Sequence, residues 1–134
     1  MIRIAFLLVL LTAGICPGAA RAQATAQGSN AAQAPLRAAL DKVRQARELN
    51  EQDFRLAKVA AATWVFVGPC QGDTLKLMDR STAAVALVMT ADPKVPYQAA
   101  TLEMIAMLLR SPLGRPNPAY CDLVLKIARE PLSD

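Results

Sequence analysis

Apolar residues recur at helical spacing at the start of the region that follows residue 34. The first three of these apolar residues lie at i, i+4 and i+7: Leu36, Leu40 and Val43. The same period then reaches two polar residues, Arg47 and Asn50, and resumes at Phe54. This pattern predicts two helices, with Pro35 opening the first and Asn50 capping the second, helped by Asp53 as a capping-box partner. One long helix with a polar interruption is the alternative.

The next segment, residues 56–67, is apolar on nearly every side and has Lys58 as its one charge. A helix that is apolar all round is typical of a buried element, so we expect this helix to lie at the centre of the fold. Residues 63–67 also have the composition of a β-strand, so a short strand remains open there. Gly68 and Pro69 predict the end of the element.

Three further helices are predicted after residue 72. Asp73 is a candidate cap for the third, and the apolar positions of that helix form one broad face: Leu75, Met78, Thr82, Val85 and Met89, widened by Leu77, Ala84 and Val88. Pro96 opens the fourth, with a stripe at Leu102, Ile105 and Leu109 beside Met104 and Leu108. Pro118 opens the fifth, whose inward positions are Tyr120, Val124 and Ile127.

These elements predict an all-α fold, a small bundle of about five helices that forms a single domain over residues 35–134. Residues 23–34 carry no charge and no large apolar side chain, and this composition is typical of a flexible tether. Residues 111–118 contain three prolines and a glycine and are expected to form a loop.

The first 22 residues resemble a secretory signal peptide in their order of features. Arg3 gives a basic start, residues 4–15 are apolar, and Ala20 and Ala22 flank Arg21 in an Ala-x-Ala site. The apolar run is shorter than the roughly 20 residues that a transmembrane helix needs. We therefore expect cleavage near Ala22, export to the periplasm or the cell exterior, and no membrane span in the mature form.

Two of the three cysteines remain after such a cleavage. Cys16 falls within the signal peptide, and its lipidation is an alternative that the large residue Ile15 disfavours. Cys70 and Cys121 then form the one possible pair, and an even cysteine number in an exported chain predicts a disulfide. Such a bridge would connect the turn after the second helix to the last helix.

Charge and composition exclude several function classes. The net charge of +4 falls to +2 once Arg3 and Arg21 are removed, so neither nucleic acid nor an anionic membrane is indicated as a partner. The chain contains no histidine, which excludes Ser-His and Cys-His catalysis and histidine metal sites. It also lacks a glycine-rich phosphate loop and zinc or calcium spacings, so no cofactor and no metal are predicted.

A few residues remain as candidates for a binding site. Arg47 interrupts an apolar stripe, and the proline-rich loop presents Pro112, Arg115 and Pro116, so these four are predicted to contact a partner. Met104 and Met107 are three residues apart, a spacing known for Cu(I), but their apolar surroundings favour a place in the core.

The sequence therefore favours a small exported accessory protein that acts through protein–protein contacts and has no catalytic activity. Its partner is an unidentified protein. A holdase-type chaperone of the cell envelope is the first alternative. A hydrolase with a carboxylate site at Glu103 is the second, although no other catalytic group lies near Glu103 in sequence.

Overall fold

The structure, a computed structural model, describes residues 33–110 and 118–133. Within these residues it is all-helical and has no strand, which confirms the predicted fold class. The five α-helices are α1 (33–46), α2 (Glu51–Val67), α3 (Met78–Met89), α4 (Pro96–Leu109) and α5 (Pro118–Ala128), and a short 3-10 helix, Thr74–Leu77, precedes α3.

The break between α1 and α2 lies where the polar residues predicted it, and the single long helix is wrong. Glu48 adopts the left-handed conformation (φ 52°) and Leu49 N donates to Arg44 O at 3.0 Å, a bond pattern that ends an α-helix. Asn50 Oδ1 then accepts from Asp53 N at 2.8 Å and its Nδ2 donates to Asp53 Oδ2 at 2.9 Å. The side chain of Asn50 therefore satisfies a backbone donor at the start of α2.

Helix α2 is the centre of the bundle and packs against α3, α4 and α5. Its buried residues lie on all of its sides, as an apolar helix requires: Phe54, Ala57, Val59, Ala61, Ala62, Thr63, Val65 and Phe66. Residues 63–67 are helical, which closes the question of a strand there. Thr63 is accommodated because its hydroxyl donates to Val59 O at 2.8 Å.

The inward faces of α4 and α5 match the sequence pattern to different degrees. Tyr120, Val124 and Ile127 of α5 are buried as predicted. In α4, however, Leu102 and Leu109 are exposed, and the stripe predicted through them is wrong. The face that packs on α2 is formed instead by small and medium residues, namely Ala99, Ala100, Thr101, Met104, Ile105 and Leu108.

One covalent and one polar link connect α5 to the turn after α2 and to α3. Cys70 and Cys121, which are 51 positions apart in sequence, form the predicted disulfide, with their Cα atoms 5.6 Å apart. At the start of α3, the Arg80 guanidinium donates to the main-chain oxygens of Ala128 and of Glu130, the latter at 2.8 Å. These two carbonyls are free at the end of α5, so Arg80 satisfies them and anchors α3.

The boundary of the predicted tether shifts slightly. Gln33 and Ala34 are helical, so α1 includes residues before Pro35. The signal peptide, the rest of the tether and the loop residues Pro112, Arg115 and Pro116 lie outside the described residues.

Candidate protein-binding surface

One face of α3 and of the turn before it is apolar and open to solvent. We call Leu75, Met78, Thr82, Val85 and Met89 the α3 face. Leu75, Met78, Val85 and Met89 are 75%, 62%, 45% and 74% exposed, respectively. Scattered single apolar residues are normal on a protein surface, but here three lie on one side of α3 and a fourth, Leu75, lies in the 3-10 helix just before it.

The α3 face is exposed because α3 uses its other side to pack on the bundle. Leu77 and Ala84 are buried, and Val88 is partly buried against the core. The sequence placed all eight apolar positions on one broad face. The structure divides them, and the five that carry the regular spacing are those that face outward.

The α3 face carries no charge along most of its length. From Ser81 to Thr90 every residue is uncharged, and the ionisable residues that flank this stretch in sequence are Lys76, Asp79 and Arg80 before it and Asp92 after it. Arg80 is already bound to carbonyls of the α5 terminus. A surface helix usually has a polar outer side, so an uncharged outer side is unusual.

A groove of about 170 Å³ lies next to the α3 face, between α2 and α3. Its lining contains no charged side chain: Thr63, Trp64, Val67, Gly68, Ser81, Ala84 and Val85. Val85 belongs both to the groove and to the α3 face, so the two form one surface. Trp64, the one tryptophan of the chain, is partly buried in this groove.

The sequence candidate Arg47 is engaged within the protein. Arg47 Nε lies 3.1 Å from Glu103 Oε2, so the structure joins the residue predicted to bind a partner to the carboxylate considered for catalysis. Both side chains are about half exposed, at 42% and 44%. The partner contact predicted for Arg47 stays a prediction, as does that of the loop residues Pro112, Arg115 and Pro116.

Three further observations concern metal ligands, the methionines and membrane spans in residues 33–110 and 118–133. No group of three or more potential ligand side chains that could hold a metal ion is found there. Met104 is fully buried and Met107 packs against the core, as predicted. In the same residues, no helix combines the length and the apolar character needed to cross a membrane.

Tyr120 is the ionisable group whose environment departs most clearly from solvent. Its hydroxyl donates to Leu108 O at 2.6 Å, which joins the start of α5 to the end of α4. Burial disfavours the charged phenolate and raises the pKa of Tyr120. Its place between two helices indicates a structural role.

Sequence reasoning missed the α3 face as a site, although the signal was present. The positions 75, 78, 82, 85 and 89 alternate by three and four residues, the spacing at which one helix presents a seam to another. Comparisons with protein-family models, with curated proteins and with solved structures gave no match.

Proposed function

We propose that this protein is a small exported binding protein without catalytic activity, and that it binds an apolar-faced helix of a partner protein on the α3 face. The observation that carries the proposal is the exposure of Leu75, Met78, Val85 and Met89, of which the last three lie at helical spacing on one side of α3. Leaving these side chains in water costs free energy, which a partner would recover by covering them.

A helix is the occupant that the spacing of the α3 face favours. Apolar residues that alternate by three and four positions match the knobs of a second helix lying nearly parallel to α3. The groove at Trp64 and Val85 lies beside the α3 face. Its volume of about 170 Å³ can hold a large apolar side chain of the partner helix. Helix-in-groove recognition uses anchors at this spacing.

The size of the α3 face favours a peptide-like helix over a second copy of the chain. Functional patches on monomers cover roughly 300–600 Å². A stable dimer of ordinary size buries about 800 Å² on each partner. Four exposed side chains on α3 and on the 3-10 helix before it fall in the first class.

The absence of charge between residues 81 and 90 defines the chemistry of the partner. A charged side chain on the facing helix would lose its hydration without gaining an ion pair, which costs several kcal/mol for a fully buried charge, on the order of the penalties seen in proteins. The partner helix therefore presents Leu, Ile, Val, Met or Ala toward α3 and keeps its charges on its outer side.

The proposal excludes a catalytic role for Glu103. Its carboxylate is paired with Arg47 at 3.1 Å, a contact that holds α4 to the end of α1. An exposed pair of this kind contributes about 0–1 kcal/mol to stability. A surface ion pair between helices accounts for both residues.

The fluorescence of Trp64 tests the proposal. The full chain is titrated with a synthetic amphipathic peptide whose leucines alternate by three and four residues. We expect a saturable shift of the Trp64 emission to shorter wavelength. The variant Met78→Lys/Met89→Lys should bind about tenfold more weakly or worse, because burying a methionine contributes roughly 1.5–3 kcal/mol.

Two controls make this titration specific. Leu109→Lys changes an apolar residue of similar exposure on α4, away from the α3 face, and should bind as the unchanged protein does. All three sites are exposed, so unfolding free energies should change by less than about 0.5 kcal/mol. No saturable shift would contradict the proposal, and equal binding of an unfolded, non-helical apolar polypeptide would replace it with the holdase function.

A further inference from the structure

A second cavity, of about 280 Å³, lies on another part of the bundle, between α1, α2 and α5. Its lining does not overlap with the groove beside α3. Apolar residues from all three helices line it: Leu36, Leu40, Phe54, Leu123 and Ile127. Its volume is at the lower end of the roughly 300–1,000 Å³ of small-molecule sites, so it has room for a small ligand only.

Five charged residues also line this cavity, and the positive ones prevail. The cations are Arg37, Lys58 and Lys126, and the anions are Asp41 and Glu130. Lys58 Nζ is 2.5 Å from Glu130 Oε2 and 5.3 Å from the centre of the Phe54 ring, and its side chain is only 19% exposed. Lys58 and Glu130 therefore neutralise each other and form part of the wall.

The remaining charges are Arg37 and Lys126 against Asp41. The Arg37 guanidinium donates to the neutral amide oxygen of Gln33 at 3.5 Å, a long contact with an uncharged group, and no ion pair of Arg37 is found among the described residues. No ion pair of Lys126 is found within the described part of the chain. Two cations, one from α1 and one from α5, thus face a single remaining anion, Asp41, in a cavity whose wall also contains five apolar side chains.

We propose that this cavity binds a small amphipathic carboxylate, such as a medium-chain fatty acid. The carboxylate pairs with Arg37 and Lys126, and Arg37 can contact both of its oxygens. The aliphatic chain lies against Leu36, Leu40 and Ile127. This site is independent of the helix-binding function proposed above, because it shares no residue with the α3 face or its groove.

Titration of the full chain with three probes of equal chain length tests the site. The probes are octanoate, octanol and octylammonium. Binding is measured through the ¹⁵N chemical shifts of residues around the cavity. We expect octanoate to bind most tightly, at least fivefold tighter than octanol. Hexanoate should bind more weakly than octanoate by about fourfold per missing methylene, the factor that corresponds to the burial of one methylene group.

Substitutions then assign the carboxylate contact. Arg37→Gln and Lys126→Gln should each remove most of the advantage of octanoate over octanol and leave the affinity for octanol unchanged. Lys42→Gln is the matched control, because Lys42 is exposed on α1 but does not line the cavity.

Three results would overturn the assignment. The first is equal affinity for octanoate and octanol. The second is an octanoate affinity that does not respond to Arg37→Gln or Lys126→Gln. The third is a set of shifts confined to α3, which would show that the probe binds to the exposed α3 face and leaves this cavity empty.

Discussion

Gly72 and Gly68 are two glycines of the turn after α2, and their surroundings differ sharply. A Cβ atom added at Gly72 would overlap the ring of Phe66, a buried core residue. A Cβ added at Gly68 would meet Trp64 O at 3.4 Å, an ordinary contact. At the residue scale, the core therefore demands a glycine at one of the two positions, where the chain passes over an aromatic ring.

Gly72→Ala should destabilise the protein by about 1–3 kcal/mol, because the Phe66 ring must move out of its packed position. Gly68→Ala should change the unfolding free energy by less than about 0.5 kcal/mol. Urea unfolding of both variants measures the difference. Equal stabilities would show that the turn relaxes away from Phe66.

The burial of Tyr120 makes the protein less stable at alkaline pH than at neutral pH. Burial raises the pKa of Tyr120 above 10.0, so the folded state holds its proton at pH values where the unfolded state has lost it. Stability from this group is fully present below the unfolded pKa and falls as pH rises through the folded pKa.

We therefore expect Tyr120→Phe to lose less stability than the unchanged protein between pH 8 and about pH 11. At pH 8 the variant should be less stable by about 1 kcal/mol, because the hydrogen bond to Leu108 O is lost. Urea midpoints at the two pH values measure both effects. Parallel losses in the two proteins would mean that Tyr120 does not control this transition.

At the scale of elements, helix ends were far easier to predict from the sequence than buried faces. Asn50, Pro96 and Pro118 lie at the helix starts that local rules assign to them, because a cap or a missing N–H acts within one turn. Asp73 differs, since its side chain accepts from Leu75 N and caps the short 3-10 helix that precedes α3.

The buried face of a helix is determined by the helices that pack against it, and the sequence pattern does not show which helices those are. Ala100 and Thr101 of α4 are fully buried against α2, whereas the larger Leu109 is exposed. Small residues allow two helices to approach closely, so they occupy the contact even where leucines are available on another side. For the same reason, the sequence pattern did not indicate which side of α3 is exposed: the small residue Ala84 packs inward and Met89 faces outward.

The Asn50 cap should contribute measurably to the stability of α2. Asn50→Ala removes the bond to Asp53 N and should lower the unfolding free energy by about 1 kcal/mol. Gln52→Ala, two residues further on an exposed position of α2, should have little effect. Thermal unfolding compares them, and similar melting temperatures for the two variants would contradict the role of the cap.

The disulfide should act as a staple between the end of α2 and the start of α5. A link that closes a loop of this length lowers the entropy of the unfolded chain by an amount equivalent to about 4 kcal/mol. Cys70→Ser/Cys121→Ser should therefore unfold at a markedly lower urea concentration. A reductant should destabilise the unchanged protein to the same extent and leave the double variant unaffected, and a reductant without effect would contradict this.

At the scale of the whole molecule, the helices other than α3 form a packed scaffold, and α3 lies on the outside of it. Helix α2 forms the centre, α4 and α5 cover it, and the disulfide and Tyr120 join these elements to each other. Helix α3 is attached on one side through Leu77, Ala84 and Arg80 and leaves its apolar face in solvent. The molecule therefore consists of a scaffold and an exposed apolar face, which we propose as the surface that binds a partner.

Site-specific photocrosslinking in the cells that make the protein tests this separation most directly. A photoreactive phenylalanine replaces Met89 of the α3 face or, as the control, Gln45, an exposed residue of α1. We expect a discrete adduct at position 89 that joins the protein to an apolar-faced helix of another protein, is weakened by Met78→Lys and is absent at position 45. No adduct at position 89, an adduct between two copies of this chain, or equal adducts at both positions would contradict it.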